Sequence, residues 1–157
     1  MAKKIRFLTQ SALIAALYVA LTYISAAMGI SSGIVQIRLS EVLTILPAFT
    51  LAAVPGLFVG CFTANLLTGA ALWDILFGSL ATLLGALGTR YLGKKCCTAP
   101  IFPIISNTLI IPFVLKFAYG VENGYLFLFA TIFAGEFISC GILGMFFYKA
   151  LDKTKLF

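Results

Sequence analysis

The sequence has no histidine, one tryptophan, and only eleven basic and five acidic side chains among its 157 residues. Without histidine, a Ser-His-Asp or Cys-His nucleophile is excluded, as are most zinc sites. No Gly-x-x-x-x-Gly-Lys-Ser/Thr loop occurs, so the usual cradle for ATP phosphates is missing. The four cysteines, Cys61, Cys96, Cys97 and Cys140, show no metal-ligand spacing, and the adjacent pair falls in a basic segment expected on the reducing side. Charged residues make up 10% of the chain, against about 25% in soluble proteins. That shortage excludes a cytosolic enzyme, a disulfide-rich secreted module and a disordered tail. What is present is apolar: 62% hydrophobic residues and a mean hydropathy of +1.10. Most of the surface must face lipid.

A membrane-crossing helix takes about 20 apolar residues at a rise of about 1.5 Å each. Six stretches approach this: Phe7 to Ala27, Glu41 to the residues before Pro55-Gly56, Leu57 to Leu67, Asp74 to Tyr91, Ile101 to Phe117, and Tyr125 to Tyr148. The expected fold is therefore an all-α integral membrane protein of six transmembrane helices, in one membrane-embedded domain spanning 1–157. The second and third stretches meet at Ala-Val-Pro-Gly, and a single kinked span there would leave five. The first apolar run is too long for the core of a signal peptide.

Lys and Arg collect on cytoplasmic flanks. With six spans, Lys3, Lys4, Arg6, Arg90, Lys94, Lys95, Lys149, Lys153 and Lys155 lie inside and only Arg38 and Lys116 outside, which places both termini in the cytoplasm. The net charge of +6 is thus mainly a topology signal, and nucleic acid is an unnecessary partner.

Polar groups inside a span cost several kcal/mol unless paired, and so are functional candidates. On this topology Arg38 and Glu41 stand where the first outer loop enters the second span, Asn65 near the outer end of the third, and Trp73 and Asp74 at the outer start of the fourth. Asn107 lies roughly 12 Å, and Glu136 roughly 18 Å, below the outer ends of their spans. All belong to the outer half, which points to a cavity open to the outside. Each has a structural alternative. Arg38 and Glu41 can pair at a helix start capped by Ser40. Trp73 suits an interfacial belt, Asp74 a helix dipole, and the asparagines interhelical hydrogen bonds. Glu136 has no cation in its own span until Lys149, so its partner comes from another segment, water or a ligand. In the first span Ala12, Ala16 and Ala20 recur every fourth residue beside Ala15, a smooth stripe for close helix packing.

The run Gln36-Ile37-Arg38-Leu39-Ser40-Glu41-Val42-Leu43-Thr44-Ile45-Leu46-Pro47 resembles the signature of the queuosine-precursor transporter (QueT) family. The runs Pro55 to Gly60, Ala64 to Leu67 and Asp74 to Thr82 are similar to the same family. The likeness extends from Ala12 to the last span and is poor from Arg90 to Pro100. These proteins are substrate-binding S-components of energy-coupling-factor (ECF) importers of the prokaryotic cell membrane. The resemblance implies a six-helix bundle with an outward pocket closed by the first outer loop. It also implies that the Ala12-x-x-x-Ala16 stripe, with Ala15 and Ala20, docks on the scaffold protein EcfT. Two partner ATPases would supply the energy, the S-component would topple to deliver its cargo, and the chain would need no cofactor of its own. The implied ligand is a 7-deazaguanine, queuine or a prequeuosine base. Its N–H edge suits Glu136 or Glu41, its other polar edges Asn107 and Asn65, and its ring Trp73 or a phenylalanine. Asp74 or the second glutamate suits an aminomethyl cation, and Arg38 suits organisation of the loop by pairing an acid. The competing readings are an S-component for another vitamin or nucleobase, and a small membrane enzyme or assembly factor acting alone.

Overall fold

Four of the apolar stretches become helices long and apolar enough to cross a membrane: α1 (Ala2–Ala27), α3 (Leu72–Tyr91), α4 (Ile101–Tyr119) and α5 (Tyr125–Thr154). Between α1 and α3 lie a 3₁₀ helix, Leu39–Ala48, and the shorter α2, Ala53–Leu67. The structure is a computed structural model describing residues 2–31 and 35–154, and no strand occurs among the described residues. Lys155, expected on the inner flank, lies outside them. α5 is interrupted by a π-helical segment, Phe137–Leu143. Large apolar side chains such as Leu8, Leu84, Leu109, Phe117 and Phe146 stand exposed around the bundle, a surface suited to lipid and not to water.

The second span departs from expectation. In place of a helix from Glu41 to the residues before Pro55, the chain forms a ten-residue 3₁₀ helix that ends at Ala48. It then turns through hydrogen bonds from Phe49 and Thr50 N–H to Leu46 O, at 2.9 and 3.0 Å. The boundary thus falls near residues 49–52, and Pro55 sits in the first turn of α2, where an N–H has no intrahelical partner to lose. A 3₁₀ helix rises about 2.0 Å per residue, so ten residues advance about 20 Å. Two anchor points on α1 agree with this in scale, one at the start of the 3₁₀ helix and one in the turn that follows it. Leu39 N–H donates to Ser25 Oγ at 2.8 Å, and Ser11 Oγ donates to Ala52 O at 2.9 Å. Ser25 and Ser11 are fourteen residues, or about 21 Å, apart along α1. The stretched helix therefore covers the depth of a longer α-helix, and it does so as the buried centre of the bundle. Leu43, Ile45 and Leu46 join Ile14, Tyr18, Leu57 and Cys61 in the core.

Small residues let the helices around it approach closely. Cβ atoms on Gly56 and Gly60 of α2 would collide with Ser11 O at 2.8 Å and Tyr18 Cβ at 2.8 Å of α1. On α3, a Cβ on Gly85 would lie 2.8 Å from Pro103 Cα of α4. The alanine stripe divides accordingly. Ala15 packs against Gly60, whereas Ala12, Ala16 and Ala20 are exposed.

Tertiary contacts gather the basic flanks at one end. Phe49 packs on Tyr148 with ring centroids 4.6 Å apart, Tyr148 Oη donates to Lys94 O at 2.9 Å, and Arg90 donates to Pro47 O at 3.3 Å. The opposite end holds the starts of α3 and α5 and the end of α4, which Gly120 closes in the left-handed region at φ 63°.

Candidate functional site

Glu41, Asn107 and Glu136, separated by up to 95 positions in the sequence, meet in the interior and are 2%, 4% and 9% exposed. Asn107 Nδ2 bridges the two acids, donating to Glu136 Oε1 at 3.0 Å and to Glu41 Oε2 at 3.4 Å. Tyr18 Oη donates to the other Glu41 oxygen at 2.5 Å, and Cys140 Sγ donates to Glu136 Oε2 at 3.1 Å. Thr44 Oγ1 lies 3.3 Å from the same sulfur. Every carboxylate oxygen of the pair thus has a neutral partner, as buried polar groups require.

A narrow cavity opens beside this group. Its walls are Glu41 from the 3₁₀ helix, Cys61 from α2, Gly78 and Thr82 from α3, Asn107 and Ile111 from α4, and Ile132 and Glu136 from α5. Gln36 and Arg38 close it from the first connecting loop. One end of the cavity is therefore acidic and amide-lined, with two isoleucines one turn farther out. With the side chains as they stand, the open space is about 10 Å³, about enough for one water.

The loop is seated by backbone donors on hydroxyls of neighbouring helices. Arg38 N–H donates to Ser139 Oγ at 3.3 Å, and Leu39 N–H to Ser25 Oγ at 2.8 Å. Gln36 O rests so tightly on Gly135 of α5 that no Cβ fits between them. Ser40, expected to cap the helix, is instead fully buried with its hydroxyl unpartnered. The 3₁₀ helix start is held by Ser25 and Ser139 from outside it.

The remaining candidates occupy different places. Arg38 lines the cavity and faces Asp74 and Glu41 electrostatically, while both Glu41 oxygens are taken by Tyr18 and Asn107. Asn65 ties α2 to α3, its Nδ2 donating to Asp74 O at 3.3 Å and contacting Cys61 Sγ at 3.7 Å. Asp74, 6% exposed, accepts from Tyr119 Oη at 2.9 Å through Oδ2. Trp73 is 55% exposed, stacks on Phe77 and borders an outer apolar groove with Leu109, Phe113 and Phe117, away from the acids. The apolar walls of the cavity are Ile111 and Ile132.

Tyr18, Cys140, Thr82 and the loop-seating serines were not among the sequence candidates. Tyr, Cys, Ser and Thr are common inside apolar spans, and only their partners distinguish them. Ligand atoms of Glu41, Glu136 and Cys140 lie within 4.8 Å of one another, close enough to hold a cation. Their hydrogen bonds to Tyr18, Asn107 and each other already account for the arrangement.

Comparison with known proteins gives a consistent result. The family described as QueT transporter matches residues 8–153. The queuosine precursor transporter QueT of Lactococcus lactis subsp. cremoris (strain MG1363) is 29% identical over 154 residues, covering 90% of this chain and 89% of that protein. No solved structure matches the chain.

Proposed function

This chain belongs to the QueT transporter family, and from that premise we propose that it is the substrate-binding S-component of an ECF-type importer, capturing a 7-deazaguanine precursor of queuosine. It is a multi-pass membrane protein of a transporter family. In this reading it sits in the prokaryotic cell membrane with both termini in the cytoplasm, and the cavity receives queuine or a prequeuosine base from outside.

The observation that carries the proposal is the buried pair Glu41 and Glu136 bridged by Asn107. A guanine-like edge presents adjacent N–H donors, which a carboxylate accepts two at a time, and a carbonyl oxygen, which an amide N–H satisfies. Tyr18 and Cys140 hold the carboxylates in place through their second oxygens, so the acids are aimed before a ligand arrives. Ile111 and Ile132 supply apolar walls for the ring faces. In a dry cavity an analogue without the matching donors leaves a carboxylate unpaired, and selectivity follows from that cost.

Entry requires movement, because a bicyclic base is far larger than the present 10 Å³ space. The segment Gln36–Arg38 is the part to move. It is held by the backbone hydrogen bonds of Ile37 N–H to Ile30 O and Arg38 N–H to Ser139 Oγ, by the adjoining Leu39 N–H on Ser25 Oγ, and by one tight glycine contact, and such bonds contribute only about 0.5–1.5 kcal/mol each. On the other side of the molecule, the exposed alanines Ala12, Ala16 and Ala20 offer the smooth helix face on which EcfT would dock. Two ATPase subunits would then drive toppling and release inside, which suits a chain with no phosphate-binding loop.

The test is a thermal-shift screen of the purified protein against queuine, prequeuosine bases, guanine, thiamin and riboflavin, with co-purification of EcfT and the ATPases as a second arm. Stabilisation by a deazaguanine and recovery of the partners are expected. Stabilisation by a vitamin and not by any deazaguanine would overturn the substrate. Failure of the partners to co-purify would overturn the ECF assignment.

A further inference from the structure

Four residues of α5 between Gly135 and Cys140 touch either the closing loop or the acids. Gly135 lies against Gln36 O, Glu136 accepts from Asn107, and Ser139 Oγ accepts from Arg38 N–H at 3.3 Å. Cys140 Sγ stands 3.1 Å from Glu136 Oε2, 3.3 Å from Thr44 Oγ1 and 3.5 Å from Glu41 O. Residues three and four apart share one side of a helix. A single face of α5 therefore holds the loop and both glutamates.

The backbone there is unusual. Phe137–Leu143 runs as a π-helix, a form that is rare and is frequent at functional sites. Its wide turns bury three consecutive residues, Ser139, Cys140 and Gly141, and expose the next two, Ile142 and Leu143. Ile138, Gly141 and Ile142 are weaker helix formers than alanine or leucine. The shape of the segment thus depends on the tertiary contacts that Ser139 and Cys140 make. These two residues are neighbours in the chain, so a displacement of one carries the other. Releasing Arg38 from Ser139 disturbs the sulfur that holds Glu136, and a ligand that fixes Glu136 steadies the hydroxyl on which the loop closes. Coupling of this kind is reciprocal.

We propose that Ser139 is a positioning residue that latches the Gln36–Arg38 loop, and that Cys140 couples this latch to the glutamate pair. Closure of the cavity and alignment of Glu41 and Glu136 are then one event, and the loop closes firmly only over a ligand that engages the acids. The inference rests on the reading of the cavity as the ligand site and of Gln36–Arg38 as the segment that moves.

Cys61, buried in the cavity wall, reports opening without any ligand. The full-length protein in detergent is treated with N-ethylmaleimide, and peptide mass spectrometry follows alkylation of Cys61 with time. Ser139→Ala and Cys140→Ala should each raise the rate at Cys61 by at least about fivefold, because the closed state loses a hydrogen-bond partner. Alanine is a good helix former, which favours folding of both variants. Thr89→Val removes a buried hydroxyl contact with Ala99 O at the opposite end of the bundle and should leave the rate unchanged. Equal acceleration in Thr89→Val would mean general loosening and would overturn the latch. An unchanged rate in folded Ser139→Ala would overturn it directly. An unchanged rate in Cys140→Ala, whose sulfur contacts lie on Glu136, Glu41 and Thr44 and not on the loop, would overturn the coupling. Saturating queuine or a prequeuosine base should slow the alkylation in the unmodified protein. Failure of all of them to protect Cys61 would overturn the base-site reading, while the ligand-free rates decide the latch separately.

Discussion

Glu136→Gln separates the binding role of the carboxylate pair from its structural role. Glutamine has nearly the shape of glutamate, and its carbonyl oxygen can keep the 3.0 Å hydrogen bond from Asn107 while its amide takes the place facing Cys140 Sγ. The substitution also removes one of two buried acids that share a single amide bridge, which relieves like-charge repulsion. The fold should therefore survive with an unchanged or higher melting temperature. Ligand binding should not survive intact. One charge-assisted hydrogen bond to the base, about 1.5–3 kcal/mol, is lost, and an amide N–H turned toward a ligand N–H adds a buried mismatch of about 1–3 kcal/mol. Together about 2.5–6 kcal/mol, at about 1.4 kcal/mol per decade, weakens binding by roughly sixtyfold to ten-thousandfold or more. Titration calorimetry with a prequeuosine base, beside a circular-dichroism melt of the same sample, measures both. A folded variant with affinity within about threefold of the parent would remove Glu136 from the ligand's surroundings. An early melt would instead make it a structural residue.

The seat of the loop is open to a similar test. Gly135→Ala should destabilise, although alanine is favoured over glycine in a helix by about 1 kcal/mol, because its methyl group has no room beside Gln36 O; overpacking of this kind costs about 1–3 kcal/mol. Faster ligand release in stopped-flow measurements should accompany the lower melting temperature, and a more stable protein with unchanged release would refute the contact as a closure. Replacing the exposed Ala12 and Ala16 by leucine should leave ligand affinity unchanged and abolish recovery of the EcfT complex on affinity purification. Normal assembly with impaired binding would contradict that division of the molecule.

Much of the architecture was legible in the chain because a bilayer imposes a simple demand. Charged side chains are nearly excluded from its core, so their scarcity announces a membrane protein, and the few that remain stand out. Glu41, Asn107 and Glu136 were conspicuous for that reason, and the structure brings all three together. Trp73 and Asp74 were equally conspicuous, yet they point to different places. Neighbouring residues on a helix are about 100° apart, so the ring of Trp73 reaches the outer apolar groove while Asp74 shares the cavity-facing side with Gly78.

Hydropathy is a sum along the chain and does not record which face of a helix a residue occupies or what lies opposite. It consequently merged the 3₁₀ helix and the start of α2 into one expected span. It also passed over Tyr18 and Cys140, whose polar atoms are single groups on otherwise apolar side chains. The sequence by itself determined that this protein is helical, bathed in lipid, and sparing with polar groups placed mainly toward one side. Only the tertiary structure decided that an extended 3₁₀ helix carries Glu41 into the centre of the bundle. There α1, α4 and α5 supply Tyr18, Asn107, Glu136 and Cys140 around it. Apolar patterning drives helices into the membrane, but a buried acid is stable only where donors from distant segments converge on it.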